Sequence, residues 1–156
     1  MDESDASAQR DQVETPTAIP TTDFATEPDH LLAGLVSVTN DVNWEIGIRL
    51  HVGGAVVSGL LISGESYFTL LAARIRDRET IDPAVESLAS WYDSIRDDYK
   101  QVRESQDDWT RTVYVHLRDA SLYAPGGGPI ELGLWRGRLS MVSGWSLGSF
   151  STTPSS

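Results

Sequence analysis

Apolar positions along the chain fall into blocks with two periods, and the periods predict the elements. Within residues 30–39, Leu31, Leu32, Leu35, Val36 and Val38 have a mostly helical spacing behind Asp29, a residue suited to cap the first turn. Residues 44–52 alternate instead. Ile46, Ile48, Leu50 and Val52 share one face and Glu45, Arg49 and His51 the other, the period-2 signature of a half-buried strand. Gly53-Gly54 supplies a hairpin turn, and residues 55–62 return as a second strand in which Gly59 marks a bend or bulge.

The period then lengthens. Phe68, Leu71, Ala72 and Ile75 predict a short second helix, and Asp82-Pro83 then reads as a cap with proline at the first helical position. Val85, Leu88, Tyr92, Ile95, Tyr99 and Val102 follow at alternating steps of three and four. They form one stripe along a third helix of about 22 residues, roughly 33 Å long. Residues 112–117 alternate again, with Val113, Val115 and Leu117 inward and Thr112, Tyr114, His116 and Arg118 outward. The Pro- and Gly-rich run 124–129 interrupts regular structure, residues 130–142 resume as a strand, and a last short strand is expected around 145–150. The fold class is α+β: a strongly bent antiparallel sheet or small barrel, with an N-terminal helix and an inserted helical hairpin.

Length and composition divide the chain. At 156 residues it suffices for one domain. Residues 1–27 are rich in Asp, Glu, Ser, Thr, Ala and Pro, with Phe24 the only aromatic. They cannot bury enough apolar surface to offset ordering entropy, so a disordered acidic tail is expected there. A single domain follows over 28–148, and a short polar tail over 149–156. The net charge is -11. Eight acids against Arg10 give residues 1–29 a net of -7, which leaves -4 for residues 30–156. Even the folded part should repel a phosphate backbone, so nucleic acid is not expected as a partner. Cysteine is absent, which excludes disulfides, thiolate zinc sites and cysteine nucleophiles and fits a reducing compartment. The acidic N-terminus has no basic start or apolar run, and no stretch approaches the roughly 18 apolar residues of a spanning helix. A cytoplasmic protein without membrane insertion is expected.

Candidate chemistry is sparse. Of the three histidines, His51 and His116 are aimed away from the core by strand alternation, and no acid lies at a spacing that makes a metal site persuasive. Glu86, Asp93, Asp97, Asp98, Glu104, Asp107 and Asp108 on or beside the third helix lie off its apolar stripe, near Arg96, Lys100 and Arg103, as in a hydrated, ion-paired face. Gly126-Gly127-Gly128 lacks the Lys-Ser or Lys-Thr of a phosphate loop, and no serine sits in a Gly-x-Ser-x-Gly elbow. No catalytic residue, cofactor, metal or small-molecule substrate is expected. The aromatic residues say more. Tyr92 and Tyr99 with Trp91 and Trp109, and a second cluster of Trp135, Trp145 and Phe150, either pack the protein's own core or give a partner its anchors. A seam as regular as that of the third helix could also pair two copies or grip a partner helix.

Two resemblances extend this reading. The stretch EIGIRLHVGGAVVSGLLISGESYF (45–68) and the later WRGRLSMVSG (135–144) resemble the two halves of an Sm-like barrel, in which a helix precedes two long strands and an Arg-Gly turn opens the last ones. The Asp and Asn that RNA-binding Sm proteins use are missing from residues 64–68, and Arg136-Gly137 is followed by Arg138, so this resemblance carries architecture more than RNA binding. An RNA-binding or adaptor module is the alternative it offers. Over most of residues 30–148 the chain resembles the GvpU gas vesicle accessory proteins, through LVSVTNDVNWEIGIRLHVGGAVVSGLLISGESYF (35–68), VYVHLRDASLY (113–123) and LWRGRLSMVSGWSLG (134–148). This resemblance implies an accessory role at gas vesicles in the cytoplasm, governing clustering or assembly. The implied partners are the vesicle shell, other gas vesicle proteins and further copies of the chain, with no nucleic acid or membrane. The partner-binding candidates are then Trp91, Tyr92, Tyr99, Trp109, Trp135 and Trp145.

Overall fold

The computed structural model describes residues 29–77, 82–105 and 112–150. The expected tail over 1–27, and the C-terminal tail beyond Phe150, lie outside the described residues. Helix α1 (His30–Val42) begins where expected: Asp29 Oδ1 accepts from the backbone N–H groups of Leu31 at 2.8 Å and Leu32 at 3.2 Å. Two of the donors that a helix start leaves free are thereby satisfied. It ends at Asn43 in the left-handed region, φ 52°, a conformation asparagine tolerates. Strands β1 (Ile46–Val52) and β2 (Ala55–Ile62) form a hairpin through Gly53 and Gly54, both at positive φ as a two-residue turn of this kind requires. Helices α2 (Gly64–Arg76) and α3 (Pro83–Ser105) form the inserted hairpin. Then come β3 (Tyr114–Tyr123), β4 (Ile130–Arg138), a 3₁₀ turn (Leu139–Met141) and β5 (Val142–Leu147).

The strands make one antiparallel sheet in the order β4-β3-β2-β1-β5. β4 and β5 are its edges and do not pair, so the sheet is open and the closed-barrel alternative is not realised. The bulge expected at Gly59 is present: the β2–β3 register shifts between Ser58 and Leu60, and a Cβ on Gly59 would stand 2.9 Å from the Arg118 carbonyl oxygen. β3 runs further than its alternation indicates, because Asp119 adopts φ 49° and the register with β4 shifts between Leu117 and Ala120. Arg136-Gly137 does not form the turn of the Sm-like pattern. It lies inside β4, where the Trp135 ring covers Gly137 so closely that a Cβ there would be 2.1 Å from it, and the chain turns two residues later.

Both faces of the sheet are covered. Leu32 and Val36 of α1 pack with Ile48, Leu50, Val57, Leu61, Val115, Leu117 and Leu139 on one face. The alternate positions Ile62, His116 and Leu134 face the hairpin, where Tyr67 and Phe68 of α2 meet Tyr92, Ile95 and Tyr99 of α3. This corrects the expectation for His116, which is 1% exposed. Alternation identifies which residues share a face; it does not say whether that face is covered. His51, by contrast, is exposed. The junction of α1 with α2 is polar: Gly64 N–H donates to Asn40 Oδ1 at 2.9 Å, and the Ser63 and Ser66 hydroxyls donate to Asn43.

Candidate functional site

The aromatic candidates separate by environment. Tyr92 and Tyr99 turn inward, their rings 5.9 and 5.8 Å from that of Phe68, and Tyr99 lies over Gly64 so tightly that a Cβ there would fall 2.1 Å from its ring. Trp135 and Trp145 are half-buried against the first core, and Trp145 Nε1 donates to Asp29 Oδ2 at 3.0 Å. That bond is the largest cause holding the Asp29 carboxyl below its ordinary range. Trp109 lies outside the described residues. Trp91 alone of the described candidates faces solvent, at 57% exposure, with Leu88 exposed one turn earlier although the stripe places it inward. These two give α3 an apolar outer patch.

A second patch escaped the sequence reading. Leu31, Val38 and Val42 are exposed on α1, the first and last at 63% and 61%, and Trp44 is exposed just beyond its end. At about 100° per residue these three helix positions fall within roughly 40° of one another, on a face distinct from the Leu32–Val36 face that meets the sheet. The signal was legible: α1 carries two apolar stripes, and one sheet can cover only one of them. Isolated exposed apolar residues need no explanation, but grouped ones mark contact surfaces.

Most polar groups are committed elsewhere; His116 Nδ1 is buried without a hydrogen-bond partner among the described residues. His116 Nε2 accepts from Arg136 Nε at 3.2 Å, and the rings of Tyr67, Phe68 and Tyr99 stand 4.7, 5.8 and 5.8 Å away. Burial, followed by the Arg136 charge, holds its pKa down to about 3. It is therefore neutral near pH 7, and its contacts are aromatic rings and a cation, not a carboxylate. Burial pushes the Tyr67 and Tyr99 hydroxyls up. On the described part of α3 the expected ion-paired face is present, Asp107 and Asp108 lying outside the described residues: Asp93 meets Arg76 at 2.7 Å and Arg96 at 2.8 Å, and Glu86 meets Arg76 at 2.9 Å. An open hollow of ≈ 400 Å³ lies between Asn43, Glu45, Glu65, Ser66, Thr69, Leu70 and Arg118. Its acids are engaged, Glu45 with Arg118 at 2.7 Å and Glu65 with Arg103 at 2.8 Å. Among the described residues no group of three or more His, Asp or Glu is placed to hold a metal ion, and no helix is long and apolar enough to cross a membrane.

These elements define an α+β protein with an open five-stranded antiparallel sheet, one helix on its first face and a helical hairpin on its second. The chain belongs to the GvpU-like family: the family model described as gas vesicle protein GvpU-like matches residues 29–150, which take in every element above. The family is one of gas vesicle-associated proteins, as the resemblance over residues 30–148 implied. No curated protein and no solved structure matches the chain.

Proposed function

We propose that the chain acts at gas vesicles by contact and without a chemical step, holding the vesicle shell or another gas vesicle protein and also further copies of itself, and so controls vesicle clustering or assembly. The observation that carries this reading is the pair of apolar patches on helices packed against opposite faces of the sheet: Leu31, Val38, Val42 and Trp44 at α1, and Leu88 and Trp91 on α3. A clustering factor must make at least two contacts at once, and several weak ones reach a combined strength that none has alone. The acidic segment 1–27 opposes association at low salt, and screening relieves it.

The test is flotation of washed gas vesicles with the purified chain. Recovery of the chain in the vesicle layer, and vesicle turbidity that rises with added salt, support the proposal. A chain left in the subnatant, or turbidity greatest at low salt, counts against it. The same reading takes RNA not to be a partner, so a gel shift at physiological salt should leave RNA unretarded; RNA binding without vesicle binding favours the Sm-like alternative.

A further inference from the structure

Apart from Arg49, the described basic side chains divide into two groups. Arg76, Arg96, Lys100, Arg103 and Arg118 each meet a carboxylate. Arg74, Arg136 and Arg138 meet none among the described residues, although the chain carries 23 acids to 12 bases. The three are strung along one edge of the sheet. Arg136 and Arg138 are alternate residues of β4, so they share a face about 7 Å apart. Arg74 reaches over from α2: a Cβ on Gly133 would stand 2.8 Å from its Nη1, so its guanidinium fills the space above that glycine, roughly 10 Å along β4 from Arg136. Arg136 is fixed in place, its Cζ 3.4 Å from the Tyr114 ring centroid and its Nε on His116. Arg49, also without an acid, is accounted for by the Leu147 carbonyl at 3.1 Å and the Phe150 ring.

β4 pairs with β3 on one side and with no described strand on the other. An unpaired strand edge offers a row of backbone donors and acceptors, and here three cations accompany it against the single acid Glu131. Its complement is an acidic segment, and this chain holds one. Residues 1–28 carry Asp2, Glu3, Asp5, Asp11, Glu14, Asp23 and Glu27 against Arg10. Reach is ample: Asp29 is tied to Trp145 on β5, four strand spacings or about 19 Å from β4, and 28 residues span at most roughly 90–100 Å. We propose that residues 1–28 dock along the β4 edge of their own chain, carboxylates against Arg74, Arg136 and Arg138, as an internal cover that keeps the edge from other chains until salt or a competing surface releases it. This stands apart from the vesicle reading and would hold for the isolated chain.

The chain has no cysteine, so Ser7→Cys gives one site for a nitroxide in the full-length, ¹⁵N-labelled protein. At about 0.02 M salt, broadening concentrated on the β4 amides is expected, falling several-fold at about 0.5 M salt, where exposed charges are screened. The same fall is expected in Arg74→Gln/Arg138→Gln, whose two exposed side chains lie outside both cores; Arg136 is spared because it meets His116. An unchanged melting temperature for that variant ties the loss to the charges. Mixing unlabelled nitroxide-bearing chain with nitroxide-free ¹⁵N chain should broaden nothing. Broadening absent from β4 at low salt, broadening that survives the double substitution, or equal broadening in the mixed sample overturns the proposal, the last by assigning the contact to another copy.

Discussion

Replacing His116 by leucine should remove a pH dependence of stability expected of the wild-type chain between pH 7 and pH 5. The imidazole is wholly buried, and its pKa drops from 6.5 to about 3, first through burial and then through the Arg136 charge. A base whose folded pKa lies below its unfolded one takes up protons preferentially in the unfolded chain, so its contribution is complete above pH 6.5 and is lost as pH falls toward 3. The full shift corresponds to about 5 kcal/mol near pH 3, and about 2 kcal/mol of it is lost between pH 7 and pH 5. Asp29, Glu45, Glu86 and Asp93 have lowered pKa values, so their share is lost mainly at lower pH. Urea unfolding followed by tryptophan fluorescence at pH 7, 6 and 5 should show the wild-type midpoint falling by roughly 1 M over this range. In His116→Leu the midpoint should stay nearly constant. A wild-type midpoint flat between pH 7 and pH 5, or an equal slope in the variant, would refute the account of the second core.

Three further outcomes follow from the packing. Gly64→Ala should lower stability by about 1–3 kcal/mol, because its Cβ would sit 2.1 Å from the Tyr99 ring where α3 crosses the start of α2; a melting temperature equal to wild type contradicts that crossing. Asp29→Ala removes the α1 cap and the acceptor of Trp145 Nε1, so a loss of about 1–2 kcal/mol and a changed Trp145 emission are expected by thermal melting and fluorescence. Leu88→Ser/Trp91→Ala, on the outer side of α3, should change stability by less than about 0.5 kcal/mol while weakening self-association at elevated salt, read by sedimentation velocity.

Where local pattern determines structure, the sequence was legible. The Asp29 cap, the Gly53-Gly54 turn, the bulge at Gly59 and the α2–α3 hairpin all follow from propensities acting within a few residues. Long-range facts were not. Residues Tyr114 and His116 alternate as a solvent face would, and only the docking of the hairpin inserted between β2 and β3 converts that face into a second core. Barrel closure depends on whether β4 meets β5, which no periodicity reports. Among the candidate contacts, spacing does separate Trp91 from Tyr92, since adjacent helix residues point about 100° apart and only Tyr92 is on the stripe; it fails at Leu88, which is on the stripe and yet exposed. The α1 patch is harder to see, because the helical spacing of Leu31, Leu32, Leu35, Val36 and Val38 does not by itself say whether one face is apolar or two.

The central claim is that apolar patches on α1 and α3, and not a reactive site, connect this chain to vesicles and to itself. Its most direct measurement is vesicle flotation with four full-length proteins of equal thermal stability: wild type, Leu31→Asp/Val38→Asp, Leu88→Ser/Trp91→Ala, and the combination. The account predicts that at least one double variant loses vesicle retention or clustering by tenfold or more, about 1.4 kcal/mol, and that the combination abolishes both. Retention and clustering equal to wild type in the combined variant would contradict it.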